Sequence, residues 1–467
     1  MLRPSQSRRR TERGARHGRG LRGLVLATAL LAGVAAPVCA LAEEEGCTPF
    51  EERYSQPLQI ASAELGVEPA GAPAGSSAGA IVKLPAPPSR RPEAPSGEAL
   101  LALPKGSDGA LPTDFELGTD ARIADSFFSP ILCSTIARIV GPVGATLEGL
   151  VEVVPESATV VPNAMYVTAA DEITPLDAAT AAPEVRPDPY RSLQYGLDQL
   201  GVEAAAFRSR GEGVKIAVLD SASASDHHDL AAVDVVPIPG GPPLAAAVHG
   251  TLMAGVVGAT TDNGFGMAGI APDADVLSVP ICTPAGATAT DECLLFDLLR
   301  GLDVAWGRES QVLNLSIVGP SNALLGRAMS RLDELGVLIV AAAGNEATLD
   351  PRYPAAYPSV IGVGAVDRER RPTPRTNRGP SAELMAPGSE VLSAVPGGAF
   401  AFGSGTSFAA AHVSGALAVL LGSGVEPAAA RAALFREAHE AERSDAGVLL
   451  PPLCDVLARL GLPCRTP

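Results

Sequence analysis

Four apolar runs, at residues 214–219, 312–317, 337–343 and 360–365, alternate with helical stretches at 295–306, 323–335 and 407–421. Strands without polar alternation, each separated from the next by a helix, predict a parallel sheet covered on both faces, an α/β architecture. A late helix over Pro427 to His439 and a small cap over Cys454 to Leu462 are expected to complete this region. The proline is tolerated in a first turn, where no N–H is missed. The 467 residues, 46% of them hydrophobic, suffice for a large core and leave room for more than one domain. Reacting groups in open α/β sheets gather at the carboxyl ends of strands, so those ends are where chemistry is expected.

One run, Val214-Lys215-Ile216-Ala217-Val218-Leu219, stops at Asp220-Ser221-Ala222. Asp220 therefore stands at a strand end, although a lone carboxylate there can equally cap a turn. Further on, Gly405-Thr406-Ser407 runs straight into a helix of small residues. Ser407 would sit in the positive end of the helix dipole, beside free backbone N–H groups where an oxyanion could form. An ordinary helix cap has the same composition. Serine becomes a nucleophile only with a base, and that base needs a carboxylate to hold its tautomer. Of the six histidines, His17 lies in a basic leader, His439 in a terminal helical stretch, and His412 inside the serine's own helix, where it is expected to pack. His227 and His228, in Asp226-His227-His228-Asp229, are metal-ligand types but read as a polar loop after a strand. That leaves His249, at the start of a helix in His249-Gly250-Thr251.

Together these segments resemble the subtilisin-like serine proteases (subtilases, peptidase family S8), whose triad runs aspartate, histidine, serine. Four connecting stretches in the same order are also similar: Val312-Leu313-Asn314-Leu315-Ser316, Ala341-Ala342-Ala343-Gly344-Asn345-Glu346, the segment from Tyr353 to Ala365, and Met385-Ala386-Pro387-Gly388. The resemblance spans residues 190–440 and implies a three-layer subtilisin-like fold with a central parallel sheet flanked by helices. It implies a serine endopeptidase acting on polypeptides, with Ser407 as nucleophile, His249 as general base and Asp220 orienting the ring. Asn345 and the Ser407 N–H would hold the oxyanion. Ser316, Ile317, Val318 and Gly319 on one side, and Ala342, Ala343 and Gly344 on the other, would wall the pocket for the residue before the cleaved bond. Val318 stands where relatives commonly have glycine and would narrow that pocket. Arg352 would lie near its floor, favouring an acidic side chain, or else in solvent.

The chemistry so implied needs no cofactor. Asp229 and Asn263 fall where many relatives carry structural calcium, an ion that takes oxygen ligands. Arg191 stands where an amide ligand would be expected, and its charge opposes a metal. Three departures from the family pattern are Ala222 after the aspartate, Leu252 two positions after His249-Gly250, and Ala411 in the serine helix. Ala222 and Ala411 motivate a second reading, a catalytically impaired subtilisin-like binding scaffold. An α/β-hydrolase esterase is disfavoured by the triad order and by the lack of a Gly-x-Ser-x-Gly elbow leading a matching triad.

Residues 1–42 combine Arg8-Arg9-Arg10, the apolar run Leu24 to Val38 and Ala40-Leu41-Ala42, the pattern of a secretory signal or an uncleaved anchor. The leader holds eight Arg against one Glu, so the formal charge of −17 for the whole becomes −24 for the remainder. Such an acidic body disfavours nucleic acid and anionic membranes as partners. A secreted or periplasmic monomer is expected, off the membrane unless the signal is retained. Cys47, Cys133, Cys282, Cys293, Cys454 and Cys464 form an even set after the leader. Six cysteines allow about 15 pairings; nearness favours Cys282 with Cys293 and Cys454 with Cys464, leaving Cys47 with Cys133. Residues 43–122 are dominated by Pro, Ala, Gly and Ser and read as linker. Residues 123–180, with candidate strands at Leu150 to Val154 and Thr159 to Asn163, read as a small α+β prodomain or as an accessory β unit. By resemblance, a prodomain would chaperone folding and plug the site until cut within 170–190, ahead of a catalytic domain over 185–467.

Overall fold

Alternate side chains of the central strands enter two different cores, and this fixes the layering. Ile216 and Val218 pack with Val312, Val340, Ala342, Val363 and Leu384 against the helices Val248–Gly258 and Thr406–Gly422. Ala217 and Leu219 pack instead with Leu313, Leu315, Ile339 and Ala341 against the helices Leu295–Gly307 and Ala323–Glu334. The strand period of two thus delivers apolar groups to both faces, and the sheet is buried between two helical layers. The computed structural model describes residues 95–104, 116–153, 157–170, 172–176, 188–284, 290–441, 443–444 and 447–464. The expected signal over 1–42, Cys47, most of the expected linker and most of the expected processing region lie outside them.

Among the described residues the central sheet has nine strands, in the order Asp234–Val235, Asp275–Pro280, Lys215–Asp220, Val312–Leu315, Leu338–Ala342, Ile361–Val366, Leu384–Pro387, Gly447–Leu449 and Arg443–Ser444. Every neighbouring pair is parallel except the last. From Lys215–Asp220 the chain builds outward on one side, then crosses to Val312–Leu315 on the other. The sheet reverses its growth there, which opens a crevice outside the carboxyl ends of these two strands. The helix Thr406–Gly422 is buried from Thr406 to Leu420, Ala411 and His412 included; a helix apolar on all sides belongs inside the protein. Cys282–Cys293 and Cys454–Cys464 are bonded as their spacing suggests, and Cys133 is also disulfide-bonded.

A second, antiparallel sheet precedes the first, with strands ordered Arg122–Ser129, Ser134–Val140, Glu98–Pro104 and Thr159–Pro162. Ala99, Leu101 and Leu103 face a small core of their own with Ala137, Ile139, Leu150 and Val151. Leu100, Ala102, Ile136 and Val161 face the other way, joining the core that contains helices Leu295–Gly307 and Ala323–Glu334. The strand Glu98–Pro104 lies inside the stretch whose composition reads as linker, so the ordered N-terminal unit begins well before residue 123. The reason is physical. A strand covered on both faces shows no polar alternation, and Ala-Leu-Leu-Ala-Leu amid Pro, Ala and Gly carries no period to detect.

Polar groups pin this unit to the first of the two helices. Arg300 donates to Asp125 Oδ2 at 2.6 Å and to the Pro239 carbonyl at 2.7 Å, its guanidinium lying over the Phe296 and Phe127 rings. Asp303 Oδ1 accepts from Ser129 Oγ at 3.0 Å and from the Ile131 N–H at 3.3 Å, while its Oδ2 is sealed from solvent with no hydrogen-bond partner. Burial pushes the Asp303 pKa up to about 8 against the opposing pull of those two donors. An acid whose folded value is raised binds its proton more tightly when folded, so its contribution to stability is lost as pH rises from the ordinary carboxylate range toward 8. Asp303→Asn copies the neutral acid. Its melting temperature relative to wild type is expected to climb from about pH 5 to about pH 8 and then level off, by about 2–4 °C per kcal/mol. A difference that stays flat across thermal melts in that range would contradict the assignment.

Candidate active site

Asp220 closes the strand Lys215–Asp220, and its Oδ1 accepts from the Ser221 N–H at 2.8 Å. The same oxygen accepts from His249 Nδ1 at 2.8 Å. His249 stands in the first turn of Val248–Gly258. Gly250 lets that helix come so close, because a Cβ there would collide with the Ser221 carbonyl. With Nδ1 donating, Nε2 is left to accept, and Ser407 Oγ lies 3.1 Å from it. All three groups are buried, at 0%, 1% and 0% exposure for Asp220, His249 and Ser407. Burial works against a charged ring at His249, but the field and hydrogen bond of Asp220, with a smaller field from Asp291, outweigh it, so the pKa lies above its ordinary value.

The departures from the family pattern leave this geometry intact. Ala222 has no positive φ, so a methyl is accommodated without strain. It packs beside Val235 and Leu244, and its carbonyl accepts from the Ala247 N–H at 2.7 Å, ahead of the histidine helix. Leu252 and Ala411 are both fully buried core residues.

Asn345 follows the end of the strand Leu338–Ala342, and its Oδ1 accepts from the Thr406 N–H at 3.0 Å, which ties it to the serine turn. Its Nδ2 donates to the Ala169 carbonyl at 2.6 Å. The Ser407 N–H donates to that same oxygen at 3.3 Å. A carbonyl of this chain therefore occupies the position between the two donors expected to hold an oxyanion. Gly405, at φ 138°, makes room for it, since a Cβ there would sit 2.6 Å from the Ala169 oxygen and 3.1 Å from Asn345 Nδ2.

Ala169 arrives on an extended strand, Met165–Thr168, that runs antiparallel between Glu292–Leu294 and Ile317–Val318. The Ala169 N–H donates to the Ser316 carbonyl at 3.0 Å. Tyr166 is wholly buried, its ring against Gly319 and its hydroxyl donating to the Pro320 carbonyl at 3.0 Å. The strand is anchored upstream where Asn163 Oδ1 accepts the Phe296 N–H at 3.1 Å and the Ala164 carbonyl accepts the Leu295 N–H at 2.9 Å. Downstream, Glu172–Pro175 pairs antiparallel with Ala399–Ser404. The expected wall residues Ser316, Ile317, Val318 and Gly319 therefore line one side of this strand, while Ala342 ends the strand Leu338–Ala342 and Ala343 and Gly344 lead from it to Asn345. The resemblance implies a prodomain that plugs the site, but it names no residue of 165–169 as the occupant. Its only signal was the short alternating run Met165-Tyr166-Val167-Thr168 before two alanines.

Other candidates fall away from the chemistry. His412 donates its Nδ1–H to the Phe408 carbonyl at 2.8 Å, and burial pushes its pKa down to about 4. His227 is likewise buried, lowered to about 4, and bonded to the Ala399 carbonyl at 3.1 Å. Asp229 Oδ1 accepts from Asn263 Nδ2 at 2.9 Å and its Oδ2 from the Met267 N–H at 2.9 Å. Asn263 Oδ1 is turned away to the Phe265 N–H at 2.8 Å, so the amide presents donors to the carboxylate, the reverse of what a cation would need. Arg191 pairs with Asp198 at 2.7 Å and Glu203 at 3.2 Å. Among the described residues no group of three or more His, Cys, Asp or Glu could hold a metal ion. Arg352 is paired in a solvent-exposed contact, its Nε 3.4 Å from Glu346 Oε1.

Comparison with known proteins matches the subtilase family to residues 211–450 of this chain. An intracellular serine protease of Paenibacillus polymyxa is 34% identical over 242 residues, covering 49% of this chain and 72% of that protein. Subtilisin E of Bacillus subtilis (strain 168) is also 34% identical over 242 residues, and there the match spans 61% of the relative's length. Thermitase of Thermoactinomyces vulgaris is 33% identical over 263 residues, or 54% of this chain and 91% of that one.

Proposed function

Because the chain belongs to the subtilase family of serine peptidases, we propose that it is an endopeptidase made as a precursor that first cuts itself between Ala169 and Ala170. Ser407 Oγ attacks the Ala169 carbonyl carbon while His249 Nε2 takes the hydroxyl proton. Asp220 holds the ring in the required tautomer and stabilises the imidazolium. Charge developing on the Ala169 oxygen is met by Asn345 Nδ2 and the Ser407 N–H, donors already 2.6 and 3.3 Å away. The C–N bond to Ala170 then breaks, and His249 returns the proton to the departing amine. Water repeats the sequence on the acyl-enzyme and frees the serine. One observation carries this reading above the rest: a peptide carbonyl of the chain's own lies between both oxyanion donors, beside a complete and buried triad. Donors fixed before reaction stabilise the transition state without reorganising.

Residues 95–169 then act as the folding partner and temporary inhibitor of the catalytic domain, a role supported by the strand Met165–Thr168 filling the cleft. Export is supported by the two local disulfides, bonds that persist in oxidising compartments. Ser407→Ala is expected to remain full length when expressed, where wild type yields a new N-terminus at Ala170. Subtilisin itself is the reference for the size of this effect, a loss of about 10⁶-fold in turnover. Intact mass and N-terminal sequencing read the outcome, and a processed Ser407→Ala chain would refute the mechanism. The pH dependence follows from His249, which must be neutral to act as base. Its raised pKa means that the first-order rate of self-cleavage should increase with pH through an ionisation above the ordinary histidine value of about 6.5. A midpoint below that value, measured by stopped-time gel analysis of refolded precursor, would oppose it.

A further inference from the structure

Between the two walls beside Ala169 there should be a slot for the side chain that precedes the cleaved bond. In this chain the side chains of Val318 and Glu346 converge on Gly344. Val318 Cγ1, from one wall, comes within 3.3 Å of where a Cβ on Gly344 of the other wall would sit. Glu346 Oε2 is 2.8 Å from that same point. Glu346 is held on one side by Asn377 Nδ2 and on the other by Arg352, whose Nε is 3.4 Å from Oε1. Arg352 in turn precedes Tyr353, which exchanges backbone hydrogen bonds of 2.7 and 3.1 Å with Gly319 at the end of the first wall. The Arg352–Glu346 pair therefore links the segments that follow Gly344 and Gly319, with Val318 close to Gly344. Val318 is 4% exposed and Ala169 is 3% exposed.

We propose that Val318, with the Arg352–Glu346 pair behind it, restricts this enzyme to alanine or glycine immediately before the cleaved bond. The proposal rests on the endopeptidase reading and adds the substrate class to it. A bulky side chain there would have to displace packed Val318 methyls. It would otherwise have to push Glu346 away from Asn377 and Arg352, which hold it. Arg352 does not recruit an acidic residue, because Glu346 already neutralises it. Discrimination against extra volume in a closed pocket is commonly about 10- to 200-fold.

Self-cleavage of the full-length chain tests the idea, since wild-type processing at Ala169–Ala170 reports the endopeptidase reading by itself. Ala169→Phe should slow processing by about 100-fold, and Val318→Gly in the same chain should recover at least about tenfold of that loss. Peptides Tyr-Val-Thr-X-Ala offered to processed enzyme provide a readout that does not depend on the precursor folding. With X as Ala, kcat/KM should exceed that for Leu or Phe by about 100-fold, and Val318→Gly should raise the Phe-to-Ala ratio about tenfold. Processing of Ala169→Phe at the wild-type rate, or equal hydrolysis of the Ala and Phe peptides, would overturn the restriction while leaving the endopeptidase reading intact. Hydrolysis of no peptide and no processing of wild type would remove both.

Discussion

The carbonyl oxygen of Ala169 is bonded by Asn345 Nδ2 and the Ser407 N–H, and much of the molecule is arranged around that one acceptor. To reach it, the chain must lie extended between two strand edges, Glu292–Leu294 and Ile317–Val318. Each edge would otherwise present unpaired backbone groups, the usual template for adding a further strand. Such bonds are made by main chain alone and do not ask for particular side chains. Direction and register come instead from the anchors: Asn163 at the helix that starts at Leu295, and Tyr166 buried against Gly319. A one-residue slip would move Tyr166 to the opposite face and take the carbonyl of Ala169 away from its donors.

The triad depends on a different balance. A carboxylate and an imidazole with essentially no exposure are costly to desolvate, and they persist because each is held by neighbours with little room to yield. Gly250 brings the histidine helix against the end of the aspartate strand, and Gly405 leaves space at the serine turn for the Ala169 carbonyl. The surrounding helices are built from alanine, glycine, valine and leucine, so their backbones approach the sheet closely. Here the small residues of the sequence serve position more than packing volume.

How much was legible beforehand follows the same division. Asp220, His249 and Ser407 could be read because chemistry demands particular side chains at strand and helix ends, and the parallel sheet because its strands are apolar without interruption. Asn345 and the two pocket walls came only with the resemblance. The strand Glu98–Pro104 was hidden by its composition, alanine and leucine among prolines and glycines, with no alternation because both faces are covered. Ala169 was hidden more completely. Its part is played by a carbonyl, an N–H and the absence of a large side chain, and none of these leaves a mark that distinguishes one alanine from its neighbour. Arg352 shows a further limit, since the sequence left it either near the pocket floor or in solvent, and its pairing with Glu346 is visible only in three dimensions.

On the proposed reading, cutting the Ala169–Ala170 bond does not by itself open the site. The contacts described for Met165 to Ala169 all lie on the acyl side: the two strand pairings, the Ser316 carbonyl, the Tyr166 hydroxyl and the anchor at Asn163. A cleaved strand retains them and remains as bound product. What can weaken is the docking of the N-terminal sheet on the helices Leu295–Gly307 and Ala323–Glu334, where apolar area is supplemented by the Arg300–Asp125 pair and by Asp303. Of these, Asp303 changes most with conditions, because its sealed carboxyl must lose a proton into an apolar setting as pH rises toward about 8. That cost falls on the docked state alone if separation returns the group to water. On the same reading, rising pH favours a neutral His249 and weakens the docking of the N-terminal sheet through Asp303.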